Sequence, residues 1–150
     1  MRQNGNMLRS PDQVVAKISD QIRNVMESEL QIRFAYLFGS ISRGEERVGS
    51  DVDLAVFTKP RGTLLDDARL HNELVSALNR EDVDLLMLDS APLWLQYRVV
   101  AGRVVFSRDE HARIAFRQRV EQEFLDFRPY HDNYLKAVRE RARQGVLSHG

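Results

Sequence analysis

Two aspartates stand two positions apart in LFGSISRGEERVGSDVDLAVF, the stretch from Leu37 to Phe57. In an extended chain that spacing points side chains to one face, so Asp51 and Asp53 project side by side from a strand read over DVDLAVFT. With Val52, Leu54, Ala55 and Val56 around them, the two carboxylates raise one another's pKa unless a cation lies between them. A divalent ion removes the conflict, and hard oxygen ligands select Mg2+ or Mn2+ over zinc; the plain alternative is a pair at the mouth of the strand, screened by water. A third carboxylate, Asp84, interrupts the otherwise apolar run VDLLML, and a place beside the first two would explain it. Ahead of all three, Gly39 and Ser40 close an apolar strand where a helix can begin, an arrangement that aims backbone N–H groups and a hydroxyl at an anion such as phosphate. GSISRG is not a P-loop, because no lysine follows Gly44. Three carboxylates and a Gly-Ser turn together describe metal-assisted phosphoryl chemistry.

The elements that must hold these residues are legible from periodicity. Ser10-Pro11-Asp12-Gln13 is a helix start, with a hydroxyl cap, proline at the first helical position and glutamine at the capping-box position. Val14, Val15, Ile18, Ile22, Val25 and Leu30 then recur at helical spacing, which predicts a helix to about Ser28. From Gln31 the period becomes two, and Ile32 to Phe38 reads as a strand covered on both faces. After DVDLAVFT a second helix is expected from about Leu64 to Asn79, turning Leu65, Ala68, Leu74, Val75 and Leu78 inward. VDLLML is the third strand, Asp89-Ser90-Ala91-Pro92 starts a helix ending near Gly102 with Asp89 as its N-cap, and RVVFS adds a short edge strand. Ile114, Phe116, Val120, Phe124 and Phe127 mark a long helix interrupted at Pro129, beyond which Tyr130, Tyr134 and Val138 continue the stripe. The expected organisation is one domain over 1–150, with a core over about 10–108 and a C-terminal helical segment over about 109–143.

Composition narrows the function classes. A chain of 150 residues can bury roughly 68–70% of its unfolded surface and needs no staples. The absence of cysteine excludes disulfides, thiolate zinc sites and cysteine nucleophiles, and it fits a reducing, cytoplasmic setting. No apolar run approaches the roughly 20 residues of a membrane span, and Met1 to Ser10 lacks the apolar core of a signal peptide. Lys+Arg and Asp+Glu are equal at 22 each, so no direct, sequence-independent grip on nucleic acid is expected. The four histidines share no metal-ligand spacing and read as ordinary surface or core residues.

Gly39-Ser40, ten intervening residues, then Asp51-x-Asp53 resembles the G-S-x(10)-D-x-D signature of the DNA polymerase β-like nucleotidyltransferase superfamily. The preceding strand, Arg43-Gly44 inside the turn, Ser50 before the first aspartate and an aspartate on a later strand fit the same pattern. The short chain is similar to the minimal nucleotidyltransferase (MNT) group, and FLDFRPYHDNYLKAVRER resembles the ending of members that act as antitoxins beside HEPN-domain ribonuclease toxins.

This resemblance implies an α+β fold, a mixed sheet flanked by α-helices with a C-terminal helical segment. It implies transfer of AMP from ATP to a hydroxyl, which in the HEPN-paired members is a tyrosine of the toxin. Gly39 and Ser40 would hold the β- and γ-phosphates; Asp51 and Asp53 would bind two Mg2+ ions, or Mn2+; Asp84 would complete one metal site and take the proton of the attacking hydroxyl. Arg43 either reaches a phosphate or pairs with Glu45 or Glu46, and Ser50 either caps the turn or touches the nucleotide. The implied partners are ATP and the HEPN toxin, in a homodimer or a hetero-oligomer with that toxin, with no membrane. Two other functions stay open at this point: an antitoxin that neutralises by covering its partner, and a nucleotidyltransferase of the antibiotic-modifying type.

Overall fold

A computed structural model of the chain describes residues 10–42 and 51–148. The first helix, α1 (Pro11–Glu27), begins as its sequence dictates: the Gln13 backbone N–H donates to the Ser10 hydroxyl at 3.3 Å, and the Ser10 N–H donates to the Gln13 side-chain oxygen at 3.0 Å. Its buried stripe is Val15, Ile18, Ile22 and Met26. Leu30 is not part of that stripe, because the helix has ended at Glu27 and the side chain is 70% exposed.

Four strands follow: β1 (Ile32–Phe38), β2 (Val52–Thr58), β3 (Val83–Met87) and β4 (Arg103–Ser107). They form one sheet in the order β3-β2-β1-β4. β1 is antiparallel to both neighbours, whereas β2 and β3 are parallel, so the sheet is mixed. A parallel pair needs a crossover, and α3 (Leu64–Leu78) supplies it. A four-residue helix, α2 (Gly39–Ser42), follows β1 directly; α4 (Leu93–Val100) follows β3 after a 3-10 turn at Leu88–Ser90, and α5 (Glu110–Ser148) closes the chain.

Alternation along each strand divides the apolar residues between two cores. Ile32, Leu37, Val52, Leu54, Val56 and Val83 pack under α1 and α3, while Phe34, Tyr36, Ala55 and Leu88 pack under α4 and the start of α5. In the second core Phe34 stacks on Phe57 at 4.8 Å between ring centres, and Phe116 of α5 leans on both rings. Arg113, nearly buried, donates to the Tyr36 hydroxyl at 3.1 Å and so ties α5 to β1.

Three expectations are corrected here. In α3 the inward residues are Leu70, Leu74 and Leu78, whereas Leu65 is 79% exposed and Ala68 is also exposed; the capping box of Thr63 and Asp66 fixes the helix start, and with it which face meets the sheet. Asp89 does not cap α4, which starts three residues after the 3-10 turn with Pro92 at the cap position; it stands 4.0 Å from Arg61 instead. Helix α5 is not interrupted at Pro129 but runs on to Ser148. Proline removes one backbone bond to the carbonyl four residues back. That residue, Leu125, lies where the helix has left the core and is exposed, so water can take the freed carbonyl. From Leu125 to Gln144 every described side chain is exposed.

Candidate active site

Strand register brings the distant acids together. Phe38 pairs with Asp53 across β1 and β2, and Asp53 pairs with Asp84 across β2 and β3, so the three lie in one row. Register partners point to the same side of a sheet; Asp53 therefore shares the face of Ala55 and Phe57, and Asp84 that of Leu86, which is the side covered by α4 and α5. The row sits where β1 ends and where β2 and β3 begin. Asp51 precedes β2 and is exposed, Asp53 is half-buried and Asp84 is exposed. The aspartates are thus at the lip of the sheet rather than within it.

Gly39 follows Phe38 at the end of the same row and adopts φ +76°, a conformation that side chains other than glycine's resist. A Cβ there would also overlap the Asp53 carboxylate. The turn and the carboxylate are therefore packed against one another by the missing side chain. The turn then enters α2, where the Ser42 hydroxyl donates to the Gly39 carbonyl at 2.7 Å and Arg103 of β4 donates to the Ser42 carbonyl at 2.6 Å. Ser40 is half-buried in the first turn.

Beside the row lies an open cavity of about 290 Å³, lined by Phe38, Gly39 and Ser42 together with Tyr97, Arg98 and Gly102. Gly102 lets α4 approach closely, because an added Cβ would come within 2.5 Å of the Leu37 carbonyl and 3.1 Å of the Phe38 Cβ. Tyr97 is fixed from behind by stacking on Phe124 of α5, ring centres 3.9 Å apart.

Electrostatics follow from this arrangement. The Asp53 carboxyl is held above its usual range first by partial burial, then by the charges of Asp84 and Asp51 and by a hydrogen bond with Asp84, while Arg98 opposes the rise. Asp53 and Asp84 are thus in contact, with Asp51 near enough for its charge to be felt. Among the described residues, no group of three or more His, Asp or Glu side chains is already drawn together as a metal cage. The donors nevertheless suit a hard divalent cation: they are carboxylate oxygens, and the crowding of like charge at Asp53 is the conflict that such a cation relieves.

Of the residues singled out from the sequence, the structure gathers Gly39, Ser40, Asp53 and Asp84, with Asp51 at the rim; Arg43 and Ser50 lie outside the described residues. His71 binds the Val83 carbonyl through Nε2 at 2.7 Å, a structural contact. Sequence reasoning missed Arg98 and Tyr97 in α4 and Arg103 in β4. The available signal was an arginine as the one charged residue in the run WLQYRVVAG.

A nucleotidyltransferase is the class that this fold and row of acids define. Residues 20–111 match the family model described as polymerase beta, nucleotidyltransferase, and the chain belongs to that family. Among solved structures, a toxin–antitoxin complex with AMP-PNP is similar at TM-score 0.70 and 24% identity, over 80% of this chain and 97% of that one. A complex of the tri-AMPylated Shewanella oneidensis HEPN toxin with its MNT antitoxin gives TM-score 0.66 and 22% identity over 83% and 98% of the two chains. A mutant of the toxin–antitoxin pair MntA–HpeT gives TM-score 0.67 and 25% identity over 83% and 97%. At these identities the likeness to the first two shows the fold alone. No curated protein matches the sequence.

Proposed function

We propose that the chain is the antitoxin of a HEPN/MNT toxin–antitoxin system, a Mg2+-dependent adenylyltransferase that moves AMP from ATP to a tyrosine hydroxyl of its HEPN ribonuclease toxin. The observation that carries this reading is the row Phe38, Asp53, Asp84 on three adjacent strands, which sets two neighbouring carboxylates against the phosphate-type turn that begins at Gly39. The relatives support it, since one was solved with AMP-PNP and another with a tri-AMPylated toxin.

In this reading Gly39 and Ser40 hold the β- and γ-phosphates, with Arg43 and Ser50 as further nucleotide contacts. Asp51, Asp53 and Asp84 are the residues that would hold Mg2+, which when bound neutralises charge on the triphosphate. The acceptor oxygen forms a bond to the α-phosphorus as the bond from that phosphorus to the bridging oxygen breaks, and pyrophosphate leaves. Asp84, the more exposed of the two touching carboxylates, takes the hydroxyl proton. A soluble, cytoplasmic setting accords with the absence of any described helix long and apolar enough to cross a membrane.

A second reading, neutralisation by covering, draws on the exposed Phe127, Tyr130, Tyr134 and Val138 of α5, an apolar stripe suited to a protein surface. Mass spectrometry of the HEPN toxin after incubation with the chain, ATP and Mg2+ separates the two. Added AMP on a toxin tyrosine is the expected result. A toxin that is inhibited yet unmodified would replace the enzymatic reading with the covering one, and drug-dependent pyrophosphate release would point to small-molecule transfer.

A further inference from the structure

The arginines near the sheet mostly have structural employment. Arg61 pairs with Asp67, Arg80 with Asp82 and Arg113 with Glu110, while Arg103 and Arg108 donate to backbone carbonyls. Arg98 has no such bond among the described residues. It lies in the last turn of α4, exposed, and lines the same cavity as Gly39 and Ser42. Its charge is the cation that acts on Asp53. A helix C-terminus favours a cation by itself, but that accounts for the sign of the side chain and not for its place over this cavity.

We infer that Arg98 is a triphosphate-binding residue, whose guanidinium takes oxygens of the β- and γ-phosphates in the cavity beside the Gly39-Ser40 turn and holds them as the pyrophosphate leaves. The inference rests on the nucleotidyl-transfer reading. A nucleoside triphosphate brings several negative charges to a lip already lined by Asp51, Asp53 and Asp84, so the cavity needs a cation of its own. Arginine fits because its planar fork meets two phosphate oxygens in a fixed geometry, where a lysine offers only a point charge. The Tyr97–Phe124 stack immobilises the turn of α4 from which Arg98 extends, so the guanidinium is aimed at modest entropic cost.

The test is calorimetric binding of α,β-methylene-ATP, which cannot be cleaved at the reacting bond, and of AMP, each with Mg2+ and the full chain. Arg98→Ala is expected to weaken the triphosphate analogue by about 10- to 100-fold, as befits loss of a charge-assisted contact, while AMP changes by less than about 3-fold, since it lacks the two phosphates concerned. Arg98→Lys should fall between, and Arg98→Gln, which keeps a hydrogen-bonding end but carries no charge, should match the alanine variant. Unchanged affinity for the analogue in Arg98→Ala, or an equal loss for AMP and the analogue, overturns the inference while leaving nucleotidyl transfer standing. Failure of the unmodified chain to bind the analogue removes the nucleotidyl-transfer reading, and the inference with it.

Discussion

Asp53 and Asp84 are register partners across the parallel pairing of β2 and β3, and the nearness of Asp84 helps to hold the Asp53 carboxyl above its usual range. Two like charges in contact destabilise the fold that holds them, and such a cost persists where function requires it. Asp53→Asn should therefore leave the melting temperature of the metal-free protein at or above that of the parent. Mg2+-dependent label transfer from α-labelled ATP should fall by about 100-fold or more. The same transfer assay on Asp51→Asn with Asp53→Asn should show none, and full transfer by that double variant would remove both residues from the site.

Gly39→Ala is expected to fail in two ways at once. The positive φ costs an L-residue roughly 1–2 kcal/mol, and the new methyl meets the Asp53 carboxylate. Chemical denaturation should show the loss of stability, and transfer should fall with it because Asp53 is pushed from its register with Asp84. A variant as stable and as active as the parent would mean that the turn adopts another conformation.

Glu110 opens α5 and is held by Arg113, which draws its carboxyl from the ordinary 4.5 down to about 2. A depressed carboxyl stabilises the fold at pH values above the unfolded one, and that contribution is lost as the pH falls from about 4.5 toward 2. Glu110→Gln should thus lower the melting temperature at pH 7, with the gap to the parent narrowing below about pH 4.5 and closing only toward pH 2. Glu110 is open to solvent, so the separation at pH 7 should be only about 1–3 °C. A difference between the two proteins that stays constant from pH 7 to pH 3 would assign the loss to something other than this pairing.

Pro129→Ala should return one backbone bond and up to about 3 kcal/mol of local helix stability to α5. Because every described side chain from Leu125 to Gln144 is exposed, the gain should appear as slower hydrogen exchange around residues 126–135, with the global melting temperature nearly unchanged. Exchange as fast as in the parent would show that the proline was not what limits this stretch.

Much of the site was legible because its chemistry is written in short-range spacing. Asp51-x-Asp53 and Gly39-Ser40 declare themselves, and Asp84 stands out by violating an apolar strand. The β2–β3 register that brings Asp53 onto Asp84 depends on how α3 packs, which no local pattern encodes. Arg98 was illegible for a related reason: an arginine in a helix is ordinary until the fold lays that helix beside a Gly-Ser turn 59 positions earlier. In α3 the expectation holds for Leu74, Val75 and Leu78 and fails at Leu65 and Ala68, because Leu64 and Leu65 are as apolar as Leu70 and only the cap decides which of them turn in. Pro129 was read by its intrinsic cost alone, which is smaller where water reaches the freed carbonyl.

The strand order β3-β2-β1-β4 gives the two touching acids unequal mechanical footing. Asp53 belongs to a strand paired on both sides and is wedged against Gly39, so its carboxylate moves only if the sheet opens. Asp84 belongs to an edge strand of five residues with a half-exposed face, and edge strands open locally at much smaller free-energy cost than the centre. The two carboxylates therefore sit on unequal supports, one built into the centre of the sheet beside the turn and the other on the strand that frays first.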